Sequence, residues 1–307
     1  MPSCTTMPAE RRPGVDHPHY DWSPISTRDP LALPGGGRLA VSVILVLEHL
    51  EWDPPDGSIT NRSLPGGLGV QLPFPDYVMH SHREYGHRVG IFRLLDLFER
   101  CGIPPLVAID ALTVRRYPWL ADHLVARSCE LVGHGISLSR MISSRMSEEQ
   151  ERSYITESLD AVASVAGARP AGWFGIEYNE SERTPALLAE AGVRWVCDWV
   201  NDEQPYPMHV PNGELWSVPL LLTADDAHTM GERRVPIDRY CQSLVESAQV
   251  MADDGGRHLF IALRPWLSGQ PFRARQLAVA FEAIMSIDGV VACRPGDLLG
   301  VPNRDHP

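Results

Sequence analysis

A glutamate and a histidine, Glu48 and His49, close the most apolar run of the chain, Leu39 to Leu47. That run is short and β-branched, which predicts a strand buried on both faces. A carboxylate at the end of such a strand is costly to bury unpaired. An apolar setting would raise its pKa, which suits a base that takes a proton from water. His134 lies between Gly133 and Gly135, where the backbone can crowd a site. Its imidazole could orient that water or protonate a leaving nitrogen. Arg264 follows another apolar run and could hold an oxyanion or a carboxylate product. His49, Trp173, Glu177 and Asp198 complete the set that could contact a substrate.

Each of these residues also has a plainer reading. Glu48 could be a structural partner for Arg264, and Asp198 could cap a helix or hold the same arginine. His49 could be a satisfied polar residue, while Trp173 and Tyr178 could be core. Asp110 and Asp225 read as structural acids. The histidines of Met79-His80-Ser81-His82 and His87 suit a surface or a contact between subunits.

The elements that must position these groups alternate. Helical stripes or caps mark Glu84 to Arg100, Trp119 to Arg127, Ser147 to Val165, Thr184 to Gly192, Ile237 to Ala252 and Phe272 to Ile287. Ser147 with Gln150 spells a capping box, and Thr184-Pro185 reads as an N-cap followed by proline. Strands are expected at Leu106–Ile109, Glu130–Gly133, Gly172–Phe174, Arg194–Cys197, Leu215–Leu222, His258–Leu263 and Val290–Cys293. Such alternation predicts a parallel sheet closed into a distorted or incomplete (β/α)7-8 barrel over residues 38–300. Residues 1–37 read as an irregular arm and 301–307 as a tail. The Pro- and Gly-rich stretch 50–83 has no periodicity and is expected to be a lid. In such barrels catalytic groups sit at the carboxyl ends of strands, where Glu48, Asp110, His134, Glu177, Asp198, Asp225 and Arg264 all fall.

Composition removes several alternatives. The 27 cations are all arginine, for the chain has no lysine. Schiff-base enzymes, Walker A loops and protein kinases are therefore excluded. A net charge of −12 with scattered arginines argues against a nucleic-acid partner. No apolar run approaches the roughly 20 residues of a membrane span. The six cysteines lie far apart, with no metal-type or disulfide-type spacing. Without a basic-then-apolar leader, a cytoplasmic location is the expectation.

Six motifs in order resemble the polysaccharide deacetylase (NodB homology) superfamily, nearest to its cofactor-independent allantoinase and cyclic imide hydrolase branch. They are Tyr85-Gly-His-Arg-Val-Gly90, Glu130-Leu-Val-Gly-His-Gly135, Arg169-Pro-Ala-Gly-Trp173, Thr184-Pro-Ala-Leu-Leu188, Asp198-Trp-Val-Asn-Asp-Glu-Gln-Pro-Tyr206 and Gly269-Gln-Pro-Phe-Arg273. The resemblance implies the NodB barrel and a homo-oligomer. In its metal-dependent members an acidic pair follows the first strand and two histidines, four residues apart, follow the third. Here the pair is Glu48-His49, and Leu138 stands four residues after His134. Where relatives place a histidine before proline, this chain has Arg264-Pro265.

Together these features predict a hydrolase of non-peptide C–N bonds acting on a small, cyclic amide, ureide or imide. Glu48, His134 and Arg264 would be catalytic, and no cofactor is expected. A zinc-dependent saccharide deacetylase is the alternative, with His49 and His134 as ligands and His80, His82 or Glu84 completing the set. A catalytically degenerate, ligand-binding barrel is the third reading.

Overall fold

In a computed structural model of the chain, the described residues are 14, 16–56, 58 and 75–299. Nine strands form one sheet: β1 (Leu39–Leu47), β2 (Leu106–Ile109), β3 (Glu130–Gly133), β4 (Gly172–Trp173), β5 (Trp195–Val196), β6 (Tyr206–Met208), β7 (Leu215–Ser217), β8 (Arg257–Leu263) and β9 (Val290–Ala292). Their order is β6-β7-β5-β4-β3-β2-β1-β8, with β9 also paired to β1. Every pair is parallel except β6 with β7.

Strand β1 sets the distortion. Its residues Leu39 to Leu45 pair with β8, while Leu39 to Val41 pair with β9 and Ile44 to Leu47 with β2. Strands β9 and β2 therefore share one edge of β1, which a regular barrel does not allow. A lone parallel bridge from Asp225 to Ala262 returns the chain after β7 to β8. The sheet curls into a half-barrel and ends there.

All nine residues of β1 are buried, as expected of a strand covered on both faces. Its one polar side chain, Ser42, donates to the Cys293 carbonyl at 2.8 Å. Helices α1 (Tyr77–Tyr85), α2 (Ile91–Cys101), α3 (Ala111–Arg116), α4 (Pro118–Ala126), α5 (Glu148–Ala166), α6 (Thr184–Glu190), α7 (Ile237–Asp254), α8 (Pro265–Ser268) and α9 (Pro271–Met285) accompany the sheet. Leu45 and Leu47 pack with Phe98, Leu244 and Phe281 in the main core. Each such side chain contributes roughly 1.5–3 kcal/mol on burial.

The expected strands and helices are present, with these differences. The stretch read as a loop up to Arg83 is helical from Tyr77, because Asp76 accepts from the Val78 and Met79 amides and starts α1. A π turn at Gly86–Gly90 then carries α1 into α2, so the expected helix start at Glu84 lies inside a longer helical run. Residues 59–74 of the expected lid lie outside the described residues. Strand β7 stops at Ser217, well short of Leu222, and the antiparallel β6 was not anticipated. Thr184 is the first residue of α6 rather than its cap, since its hydroxyl turns inward to Glu151.

The described part of the N-terminal arm lies against the barrel, with Tyr20 edge-on to Trp199 at 5.5 Å. No helix among the described residues is long and apolar enough to cross a membrane.

One contact decides where the α1–α2 run sits. A Cβ at Gly90 would lie 2.0 Å from the Pro265 carbonyl oxygen, so only glycine lets the run close on α8. Gly90→Ala is expected to lose about 1–3 kcal/mol of stability through overpacking. Thermal denaturation would register this as a drop of several degrees in Tm.

Candidate active site

The loops after β1 and β3 are joined residue by residue. Leu138 N donates to the His49 carbonyl at 3.0 Å and the Glu51 amide to Ser139 Oγ at 3.2 Å. Ser137 Oγ and Arg140 Nε donate to Glu51 Oε2 at 2.7 and 2.9 Å. Asp110, at the end of β2, accepts from the His49 amide and from Thr113 N at 2.6 Å each. This seam brings Glu48 and His134 face to face. Gly135 adopts φ +70°, and a Cβ there would lie 2.2 Å from the Tyr154 hydroxyl, so the turn that presents His134 requires glycine.

Glu48 is 4 % exposed and His134 is fully buried. His134 Nε2 lies 3.3 Å from Glu48 Oε1, and its Nδ1 faces the Phe174 carbonyl. A carbonyl only accepts, so Nδ1 carries the hydrogen between them. Both ring nitrogens are thus engaged. The other carboxylate oxygen, Oε2, meets Arg83 Nη1 at 3.3 Å. Arg83 lies on α1, 4.8 Å from the centre of the Trp266 ring.

Burial alone would push the Glu48 carboxyl up. The hydrogen bond with His134 and the charges of Arg264 and Arg83 more than offset it, taking the carboxyl down to about 2. The expectation of a raised pKa is therefore corrected. The strand is apolar, but the groups that reach Glu48 from other elements are not.

Arg264 does not touch Glu48. Its Nη1 binds both carboxylate oxygens of Asp225 at 2.7 Å and lies 3.6 Å from Asp226. Burial would weaken its charge, but Asp225, Glu48 and Asp226 hold it firmly cationic. Its partner is thus Asp225, rather than Glu48 or Asp198. Asp198 instead accepts from Gly175 N at 2.8 and 3.0 Å. It is buried, and burial takes it up to about 7. Trp173 packs in a core with Leu159 and Leu188, because the short β4 points it inward under Gly133.

Glu177 belongs to the turn after β4, within the fields of Glu48, Arg264 and Arg83. It has φ 52° and is followed by Tyr178 at φ 59°, two consecutive side-chain-bearing residues in the left-handed region. Such conformations cost about 1–3 kcal/mol each and persist only where the surroundings enforce them. Here Asp198 holds Gly175 before the turn, and the Tyr178 hydroxyl donates to Asp225 after it. Burial and the nearby Glu48 charge raise the Glu177 carboxyl, against the pull of Arg264 and Arg83.

A cleft, open on one side, is lined by Glu48, His49, Leu50, Trp52, His80, Arg83, Glu84, His87 and Tyr117. His80 stacks on Trp52 at 4.4 Å and His87 on Tyr117 at 4.6 Å, with His49 edge-on to Tyr117 at 5.8 Å. Burial lowers all three imidazoles, His87 to about 4, so near neutral pH they are uncharged. His80 and His87 are therefore cleft walls rather than the surface groups expected. His82 turns to the other side of α1, against Trp266 and Gln270.

The sequence reading missed Arg83, Trp52 and Tyr117. A signal existed: His80, Arg83 and His87 recur at intervals of three and four, one helical face. The proline-rich stretch before them obscured it.

The donors do not suit a metal held by three side chains. At the position of the second deacetylase histidine, Leu138 packs with Leu50, Met141 and Ile176. Among the described residues no group of three His, Cys, Asp or Glu side chains could hold an ion. Residues 59–74 contain none of these types.

No family model matches the chain. A Schizosaccharomyces pombe protein provisionally named polysaccharide deacetylase is 24% identical over 262 residues, covering 77% of this chain and 81% of that protein. A Helicobacter pylori peptidoglycan deacetylase is 26% identical over 138 residues, 45% of this chain and 46% of its own. Among solved structures, the allantoinase PuuE superposes with a TM-score of 0.78 at 26% identity, covering 89% and 93% of the two chains. A Pseudomonas aeruginosa protein provisionally named polysaccharide deacetylase gives 0.78 at 25%, covering 91% and 96%.

Proposed function

For this chain, which has the fold of the polysaccharide deacetylase (NodB homology) superfamily, we propose hydrolysis of a C–N bond in a small cyclic amide, ureide or imide, without a bound metal. One observation carries the reading. A carboxylate held ionised, Glu48, forms the floor of a cleft walled by stacked aromatic rings and uncharged imidazoles. Stacked walls accept a flat ring, and neutral imidazoles both donate and accept, matching the alternating N–H and C=O edge of a cyclic amide.

Glu48 takes the proton of the attacking water. His134, held at both nitrogens, fixes the carboxylate and keeps it ionised. Arg83 and the more distant Arg264 provide the positive field that stabilises the oxyanion in a dry site. When substrate draws Arg83 off Glu48, the carboxylate loses one of the charges that weaken it as a base. Arg83 is well placed for this exchange, since a helix rather than the sheet carries it.

The names of the yeast and Helicobacter relatives support a second reading, deacetylation of a saccharide. One panel separates the two. Hydantoin, dihydrouracil and succinimide are incubated beside N-acetylated chito-oligosaccharides, with metal content measured on protein purified without added metal. Ring opening that survives chelator is expected. Acetate release lost to chelator would establish the deacetylase instead. No turnover with a ligand-induced rise in Tm would point to a binding barrel.

A further inference from the structure

The C–N hydrolase reading leaves one requirement unfilled. An amide nitrogen leaves only if it receives a proton, and neither buried arginine is a source of one. His134 is engaged at both nitrogens, by Phe174 and by Glu48. Arg264 is locked to Asp225, and a guanidinium does not release a proton at ordinary pH.

We propose that Glu177 is the catalytic acid that protonates the leaving nitrogen; the assignment rests on the hydrolase reading above. Glu177 belongs to the turn after β4, at the same rim, within the fields of Glu48, Arg83 and Arg264. It is half-buried, whereas Glu48 is buried. Its backbone is forced into the left-handed region, and the turn is clamped from both sides by buried acids, Asp198 on Gly175 and Asp225 on Tyr178. Asp225 is also the counter-ion of Arg264, so one residue fixes both the turn and the cation beside it. A surface carboxylate needs none of this. The environment further separates the two acids, one lowered and one raised, the arrangement by which paired carboxyl groups divide base and acid roles.

The step balances. Water loses a proton to Glu48 as its oxygen bonds to the carbonyl carbon. The C–N bond then breaks, its electron pair stays on nitrogen, and Glu177 delivers a proton there. Glu48 ends protonated and Glu177 ionised, and solvent exchange restores both. The products are a carboxylic acid and an N–H group, the sum of substrate and water.

The test compares 3,4-dihydroquinolin-2-one, whose nitrogen must be protonated to leave, with dihydrocoumarin, the matching ring whose phenolate leaves unaided. Glu177→Gln is expected to lose about 10²-fold or more in kcat on the lactam. Turnover of the lactone should stay within a few-fold, and the alkaline limb of the lactam pH profile should disappear. Glu177→Gly, which relaxes the left-handed backbone, should raise Tm while still losing lactam turnover. Equal losses on both rings, no loss, or a glycine variant that still opens the lactam would overturn the assignment while leaving Glu48 chemistry in place. Wild-type protein inert towards both rings and towards the amide panel would sink the hydrolase reading, and this role with it.

Discussion

Glu48→Gln is expected to abolish most ring-opening activity, lowering kcat by about 10²–10⁴-fold while substrate still binds. The amide keeps the shape of the carboxylate but cannot accept a water proton. Steady-state kinetics with a binding measurement reads both effects, and a Gln variant with near-normal kcat would remove Glu48 as the base. The same substitution carries a stability signature with a defined sign. The folded carboxyl is lowered to about 2 from an ordinary value of 4.5. A lowered acid stabilises the fold above its unfolded pKa and loses that contribution as pH falls through the folded value. The stability gap between wild type and Glu48→Gln should therefore be full above pH ~5 and close as pH drops towards ~2. The lowering corresponds to about 3 kcal/mol at neutral pH. Denaturant melts at a series of pH values would measure it.

Substitution of His134 should be nearly as severe, for a different reason. His134 holds Glu48 in place and keeps it ionised, so its loss acts through Glu48. In His134→Asn the shorter amide can still reach the Phe174 carbonyl but no longer Glu48. In His134→Gln the longer one can approach Glu48. The expected result is a fall of about 10²-fold or more for Asn, with part of the activity returned by Gln. Removing the hydrogen bond also lets the Glu48 carboxyl rise from about 2, so an acid limb should appear in the Asn pH–rate profile at higher pH than in wild type. Residues that act as one unit are non-additive, so Glu48→Gln with His134→Asn should be little worse than Glu48→Gln alone. Additive losses would show that the imidazole works independently of the carboxylate.

The two variants separate functions that a buried ion pair combines. Burying Glu48 beside Arg83 is costly to both groups unless geometry and further hydrogen bonds compensate. Here His134 supplies one such bond, while Trp266 faces the guanidinium. The arrangement keeps a charged carboxylate out of bulk water, where the proposed substrate would engage it without competition.

The sequence by itself determined most of the elements. The apolar run Leu39 to Leu47 is β1 to the residue, Ser147 and Gln150 form the expected capping box, and Gly102 ends α2 in the left-handed conformation. It also placed Glu48, His134 and Glu177 at one rim, because strand ends in an alternating α/β chain all face the same way. These features depend on neighbours a few positions apart, so periodicity and capping reveal them. Only the tertiary structure decided what each acid does. Glu48 looked like an acid with a raised pKa because its own strand is apolar; Arg83, His134 and Arg264, brought from α1 and two other strand ends, reverse the shift. Asp198 and Trp173 looked like ligand contacts, yet one anchors a turn and the other fills a core. A carboxylate's charge is set by the sum of fields from groups distant in sequence, and that sum exists only once the sheet has curled.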